Sequence, residues 1–360
     1  MKLGIFTTGF EVKHTWNGIS NNAYLTAKYM IEHHNFDVYV FAPLFNGMKP
    51  IEKYKNLIIE RFPIKKIGNT GYFSIDIFKK ANRIDFDLIH SFHYGYFPAS
   101  VGIRTAKKKH IPHIITPTFH KTQISPIKSF LFSFYNKTEG KKILLESSMV
   151  LPYNENEKKN LKRISNFKYE IIPSPIENNV FYPANKTNKT PVITYAAPML
   201  PWKGAKIAFD ICKEIETEVD NIKFKFIGGG PLEIDIKKNA GSNFVFMKNL
   251  SVKRLAEEIR SSDIVILPTE YESFGRILAE SMMSGTPVVT TNVSAVPETV
   301  GDGGIIVNYG DWKLMKEEII NLLYNKSRMY ELRTNAIKQA HKFRQDVIGK
   351  KIYKTYMKVL

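Results

Sequence analysis

The stretch Thr269-Glu270-Tyr271-Glu272-Ser273-Phe274-Gly275-Arg276-Ile277-Leu278-Ala279-Glu280 constrains this chain more than any other, because it sets two carboxylates eight residues apart around a glycine turn that opens a helix. Before it, Ile264 to Leu267 is a short continuous apolar run closed by Pro268, the pattern of a strand buried on both faces. After it, Arg276 to Met283 has helix formers with apolar residues at helical spacing, stopped by Ser284-Gly285-Thr286-Pro287. Strand, loop and helix follow in that order. A helix N-terminus leaving such a loop offers unpaired backbone N–H groups and the positive end of a helix dipole, which together suit a phosphate. Glu272 is expected in the loop facing the ligand, and Glu280, about two turns into the helix, within reach of ribose hydroxyls as a bidentate acceptor. Two carboxylates beside a diphosphate would repel it unless hydroxyls stood between them, and sugar and ribose hydroxyls meet that need.

The 360 residues allow two domains, each large enough for its own core. Short buried-strand patterns lie at Leu3 to Thr7, Asp37 to Ala42, Leu88 to Ser91, His113 to Thr116 and Met149 to Pro152, with helical stretches such as Asn22 to His33 and Pro98 to Lys109 between them. The rhythm repeats at Val192 to Tyr195, Lys223 to Ile227, Asn243 to Phe246, Asp263 to Leu267 and Pro287 to Thr290. Alternation of this kind predicts an α/β chain with two doubly wound parallel sheets. Ile171 to Pro175, Phe181-Tyr182-Pro183 and the polar run to Pro191 form the natural linker. From about Gly310 the chain reads as a final helix broken near Phe343 to Asp346.

A hydrophobic content of 43% and a charged content of 24% belong to a soluble globular chain. No apolar run approaches the roughly 20 residues of a membrane-spanning helix. Met1 to Phe6 runs into a strand rather than a signal peptide, so the cytoplasm is the expected location. The single cysteine, Cys212, sits in a helical apolar pattern and reads as a packed core thiol. A formal charge of +18 exceeds what solubility needs. Contact with an anionic membrane surface or a lipid acceptor is the first reading, a Lys-, Asn- and Ile-rich composition the second, and nucleic acid the last.

Glu272 to Glu280, with the following Ser281-Met282-Met283-Ser284-Gly285-Thr286-Pro287-Val288-Val289, resembles the signature of the family 4 retaining glycosyltransferases. The similarity continues through Val296-Pro297-Glu298-Thr299-Val300 and Asp302-Gly303-Gly304, and backwards through Lys203-Gly204 and Ile227-Gly228-Gly229-Gly230-Pro231. It implies the GT-B fold: two Rossmann-like domains facing across a cleft, here residues 1–175 for the acceptor and 176–340 for a nucleotide-sugar donor, with a helix at 341–360 returning to the first domain. It further implies transfer of a hexose from a UDP- or GDP-sugar with retention at the anomeric carbon, with no cofactor and no metal. On that pattern Glu272 binds sugar hydroxyls, Glu280 the ribose, and Lys203 with the amides of Gly275 to Leu278 the diphosphate. Ser273, Phe274, Arg276 and Ile277 complete the donor loop.

Lys203-Gly204 follows the strand Val192 to Tyr195, so its ammonium is expected to meet the diphosphate from the side opposite the helix dipole and to stabilise charge on the leaving group. One departure stands out: the family usually carries Gly-Arg five residues before Lys-Gly, and its arginine clamps the phosphates, whereas this chain has Ala197-Pro198. Arg276 is positioned to replace that charge, although relatives with the usual arginine also carry one there. In the first domain Asn17-Gly18-Ile19-Ser20 matches the family's Gly-Gly, so Gly18 is expected to let backbone N–H groups approach the donor. Thr116-Pro117-Thr118-Phe119-His120 resembles the family's Thr-x-His, which makes His120 a catalytic candidate beside Glu272. His90 and His93, at another strand end, are acceptor-pocket candidates.

Two motifs are decoys. Asp85-Phe86-Asp87 has the spacing of a metal-binding Asp-x-Asp but opens a strand, and Gly228-Gly229-Gly230-Pro231 lacks the full dinucleotide fingerprint. Between Lys121 and Lys142, aromatic residues including Phe132 alternate with Lys128, Lys137, Lys141 and Lys142, which suits a segment lying in a bilayer interface; a core helix with a wet lysine edge is the alternative. The expected partners are thus a nucleotide sugar, a lipid or lipid-linked acceptor and an anionic membrane. Two rival functions remain: a nucleotide-sugar 2-epimerase, which would need acid/base carboxylates and no acceptor surface, and a donor-impaired relative that binds membrane or nucleic acid.

Overall fold

The computed structural model describes residues 1–11, 18–63, 65–67, 71–119, 126–184 and 190–360, with backbone alone at 18–20, 65–67, 71–73, 75 and 126–128. It falls into two units: one takes the described residues of 1–175 with Gln345–Leu360, the other is Ile176–Arg344.

The first unit is built on a sheet whose strands run in the order Ile51–Tyr54, Leu57–Phe62, Asp37–Pro43, Lys2–Phe6, Leu88–Phe92, His113–Thr116, Met149–Val150. All neighbours pair parallel except the edge pair Ile51–Tyr54 and Leu57–Phe62. Leu88–Phe92 and His113–Thr116 are buried along their whole length, as strands covered on both faces must be. The helix Phe97–Lys109 begins with proline in its first turn and ends at His110 in the left-handed conformation, two punctuation marks that the sequence carries openly.

The edge pair is not foreseen by the strand patterns above. Leu57–Phe62 alternates buried and half-buried residues, and its polar positions Glu60 and Arg61 dilute the apolar signal. Arg61 is nevertheless buried, held by Glu52 at 2.5 Å and by the Phe10 carbonyl at 3.0 Å.

The second unit carries six strands, all parallel, in the order Phe244–Met247, Lys223–Ile227, Val192–Ala196, Ile264–Leu267, Val288–Thr291, Gly304–Val307. Its first strand in the chain lies in the middle of the sheet. The winding reverses between Val192–Ala196 and Ile264–Leu267, as it does in the first sheet between Lys2–Phe6 and Leu88–Phe92. In such sheets ligands bind outside the carboxyl ends of the strands at the reversal. The loops that matter therefore leave Ala196 and Leu267 in one unit, and Phe6 and Phe92 in the other.

The C-terminal region is more divided than its sequence suggests. Trp312–Tyr324 and Lys326–Ala340 are separate helices, a short 3-10 turn covers His341–Phe343, and Gln345–Val359 is the last helix. The additional break falls at Asn325, whose side chain caps the following helix by accepting from the Arg328 amide at 2.9 Å.

The last helix completes the first unit's core, where Ile348, Ile352 and Tyr356 join Leu3, Ile5, Val38 and Val40. It lies so close to the helix Gly18–His34 that a Cβ at Gly349 would stand 2.2 Å from the Tyr29 ring. Gly349→Ala is accordingly expected to cost about 1–3 kcal/mol of stability through overpacking. Denaturant unfolding measures this, and an unchanged midpoint would contradict the close helix contact.

Candidate functional site

In the second unit two loops meet at the point of reversal. The first, after Ala196, is pinned by Tyr195, whose buried hydroxyl donates to the Pro198 carbonyl at 3.0 Å. Burial, with the charge of Glu272 as a lesser cause, pushes that phenol well above its ordinary range, so it stays a donor. This loop ends in a short 3-10 turn, Pro201–Lys203, closed by Gly204 at a φ of 71°. A Cβ at position 204 would sit 2.0 Å from the Pro268 carbonyl oxygen, so only glycine lets the loops approach this closely. The Trp202 carbonyl accepts from the Glu270 amide at 2.9 Å and from the Thr269 hydroxyl at 3.1 Å, which ties the loops together.

This arrangement brings Lys203 and Glu272 together, with Nζ donating to Oε1 at 2.6 Å. The carboxylate side chain is 10% exposed and the lysine 22%, so the pair sits at a surface but is largely sheltered. Ser294 fixes the Glu272 backbone from below, accepting from its amide at 2.9 Å and donating to its carbonyl at 2.8 Å. Gly275, at a φ of 78°, then turns the chain into the helix Arg276–Met283.

The side chains beyond Gly275, and that of Phe274 before it, are mostly turned inward. The Phe274 ring points into the core against Phe343, with centroids 5.2 Å apart, and only its backbone belongs to the loop. The side chains of Ile277 and Leu278 are also buried, and the Leu278 amide already donates to the Gly275 carbonyl at 2.9 Å. Glu280 is fully buried and meets Arg276 Nε at 2.7 Å. Arg276 is itself mostly covered, so its charge is largely answered by Glu280. Ser273 stays half-buried in the loop, beside Glu272.

In the first unit the structure separates the two histidines. His90 is fully buried, one ring nitrogen 2.6 Å from the Tyr356 hydroxyl and the other 2.9 Å from Thr116 Oγ1. Burial first, and the neighbouring His113 second, holds it well below the usual imidazole range. It is a neutral strut of the core and cannot line an acceptor pocket. His93, by contrast, stands just past the carboxyl end of Leu88–Phe92 at a φ of 71°, with Nδ1 2.8 Å from Thr8 Oγ1. Those two residues follow the two strands between which the first sheet reverses.

Gly18 opens the helix Gly18–His34. Asn17 and His120 lie outside the described residues, as does the side chain of Lys128. Phe132 is directed inward, its ring within 6.5 Å of Tyr94, 6.0 Å of Phe119 and 6.2 Å of Tyr135, so it serves the core and not a membrane. Lys137, Lys141 and Lys142 are exposed. The Asp-x-Asp decoy resolves into structure: Asp87 accepts from the Lys2 amide at 2.8 Å, Asp85 pairs with Lys109 at 3.3 Å, and Phe86 is core.

One supporting residue was missed. Glu157 is buried, and its carboxylate accepts from the Phe119 amide at 2.5 Å and the Tyr153 amide at 2.6 Å. Phe119 immediately precedes His120 and follows Thr118, which is held at a φ of 49° with its hydroxyl 3.0 Å from Tyr153. Glu157 therefore anchors the segment that leads to His120. The spacing Asn154-x-x-Glu157, with the Asn154 side chain accepting from the Glu157 amide at 2.8 Å, is a variant of the capping box and would have been the signal to follow.

Comparison with known proteins places both halves. The model "Glycosyl transferases group 1" matches residues 178–343, and that of "Glycosyltransferase Family 4" matches residues 16–179. An uncharacterised glycosyltransferase of Methanocaldococcus jannaschii is 28% identical over 304 residues, 81% of this chain and 82% of the relative. A second from the same organism is 24% identical over 392 residues, covering 96% of each. Among solved structures, sucrose-phosphate synthase of Thermosynechococcus elongatus has a TM-score of 0.82 at 17% identity, covering 99% of this chain and 98% of that one. HepE of Anabaena, solved in complex with UDP-glucose, has a TM-score of 0.75 at 15% identity, covering 99% and 100%. These likenesses establish a shared fold.

Burial raises the Glu157 carboxyl from its ordinary 4.5 to about 7, against the two amides that favour its charged form. A carboxyl that keeps its proton longer when folded contributes stability in full below the ordinary value and loses it as pH rises through the raised one. Glu157→Gln cannot titrate, so wild type should lose roughly 3 kcal/mol relative to that variant between about pH 4.5 and 7, then hold level. Denaturant melts of both proteins across this window are the check; a pH-independent difference would contradict the assignment.

Proposed function

The chain belongs to family 4 of the glycosyltransferases, with the GT-B fold, and on that premise we propose that it moves a hexose from a UDP- or GDP-sugar to an acceptor with retention at the anomeric carbon. The observation that carries the reading is the Lys203–Glu272 pair beside the N-terminus of Arg276–Met283, at the reversal of the second sheet. UDP is the favoured nucleotide of the donor, since HepE is described with UDP-glucose and a trehalose-6-phosphate synthase with UDP-2-fluoro glucose.

The charged groups of this site pair among themselves, Lys203 with Glu272 and Arg276 with Glu280. Entry of a nucleotide sugar exchanges those partners: the diphosphate takes the ammonium of Lys203 and the amides of the helix N-terminus, and Glu272 turns to the sugar hydroxyls. Glu280 reaches the ribose only if Arg276 yields its carboxylate, and the released guanidinium is then available to phosphate. This would compensate for Pro198, whose ring is exposed where relatives carry the clamping arginine.

In the chemical step the bond from the anomeric carbon to the diphosphate oxygen breaks, and a bond to the acceptor oxygen forms on the same face. The acceptor proton passes to the departing phosphate oxygen, so no protein nucleophile is needed. Lys203 and the helix dipole stabilise the charge that develops there, and metal is not required. The first unit supplies acceptor contacts, with His93 and His120 as the residues to test. The acceptor is a membrane lipid or a lipid-linked glycan, met by peripheral contact with an anionic membrane surface. The excess of positive charge supports that partner, and no helix among the described residues is long and apolar enough to cross a membrane itself.

Incubation with a panel of UDP- and GDP-sugars and a total lipid extract tests the reading through nucleotide release and labelled glycolipid. Wild type should transfer from at least one donor, and Glu272→Ala should lower turnover by about a hundredfold or more. Equal activity in the variant, or no release from any donor, would overturn it. Transfer should also survive excess chelator; its loss, restored by added divalent cation, would contradict metal independence.

A further inference from the structure

We propose that the outer face of the helix Pro126–Lys137 is the element that docks on an anionic bilayer, a reading that deepens the membrane contact above and rests on it. The helix has two faces of different character. Phe132 and Tyr135 pack inward among Tyr94 and Phe119, while Phe130, Leu131 and Phe134 are 71%, 59% and 62% exposed. Phe130, Phe134 and Lys137 recur at i, i+4 and i+7, which sets them on one side of the helix.

This exposure is not a general property of the surface. The chain has 24 phenylalanines, and among the described residues Phe130 and Phe134 are the only ones in the exposed class. Other exposed apolar residues are mostly scattered singly along the chain, which is ordinary, whereas three within five consecutive residues mark a contact surface. The following helix, Glu139–Glu146, adds exposed Leu145. Its inward side is fixed: a Cβ at Gly140 would stand 2.0 Å from the Tyr94 hydroxyl and 2.8 Å from the Tyr135 ring, so the two helices cannot rotate to hide the outer residues.

Charge selects the occupant. The two acids of this segment are answered elsewhere, Glu139 by Arg104 at 3.0 Å and Glu146 by Lys107 at 2.9 Å. Lys137, Lys141 and Lys142 are exposed, and none forms an ion pair among the described residues. Aromatic side chains flanked by unanswered lysines match the two layers of a bilayer interface, with rings in the acyl boundary and ammonium groups at anionic headgroups. A second copy of this chain, equally basic, would bring like charges together.

The test is co-sedimentation of nuclease-treated wild type with vesicles of phosphatidylglycerol and phosphatidylcholine, beside vesicles of phosphatidylcholine alone. Binding is expected to the anionic vesicles and to weaken with salt. Phe130→Ser with Phe134→Ser should reduce the bound fraction about tenfold or more, and Lys137→Glu with Lys141→Glu and Lys142→Glu should abolish the preference for anionic lipid. Circular dichroism checks that the variants fold. UDP-glucose hydrolysis without vesicles, unchanged in the phenylalanine variant, separates a failure of docking from a failure of the transferase reading. Wild type that pellets with neither vesicle, a phenylalanine variant that pellets like wild type, or a wild-type dimer that the same variant dissociates would each overturn the proposal.

Discussion

Backbone meets backbone at Gly204 and Pro268, and the second unit's site depends on that contact. A single carbon at position 204 would stand 2.0 Å from a carbonyl oxygen, so the two loops can touch only while that position is bare. The contact holds Trp202 where its carbonyl gathers two donors from the neighbouring loop, and it sets Lys203 within 2.6 Å of Glu272. Neither residue is brought there by its own attraction. In a largely sheltered pair of this kind desolvation offsets much of the attraction, and its geometry is a consequence of the loops being close.

The two units use the same position in the same way. In each, the first strand of the unit sits inside the sheet and the next one across the reversal supplies the facing loop. Thr8 and His93 meet over that point in one unit, Lys203 and Glu272 in the other. The chemistry differs: a hydroxyl and an imidazole on one side, an ammonium and a carboxylate on the other. An alike scaffold thus gives one unit a hydroxyl–imidazole contact and the other a charged pair suited to an anion and its hydroxyl-bearing neighbours.

Much of this was legible in the sequence, for physical reasons that also mark the limits. The strand Ile264–Leu267 is covered on both faces, so it appears as an unbroken apolar run, and Ser284-Gly285 ends the helix that follows it. The edge strand Ile51–Tyr54 is largely exposed and its inner neighbour Leu57–Phe62 is half-buried at alternate positions, and both carry charge, which conceals them. His90 looked like a pocket residue because its partner, Tyr356, lies 266 residues away, beyond any local pattern. Between Lys121 and Lys142 the composition was plain but its direction was not: which aromatic rings face inward depends on helix rotation, and that is fixed by the closeness of Gly140 to Tyr94. Likewise Glu280 could be placed on its helix from sequence, but not its pairing with Arg276.

The return of Gln345–Leu360 to the first unit has a consequence for the order in which the molecule is made. On the ribosome the N-terminal segment emerges first, yet its core stays open until the last helix brings Ile348, Ile352 and Tyr356 to it. Until then a nitrogen of the buried His90 lacks the Tyr356 hydroxyl, and an apolar face that will be sealed stands exposed to water. The later-made unit, Ile176–Arg344, is contiguous and can close while its predecessor waits. The half synthesised first is the half finished last.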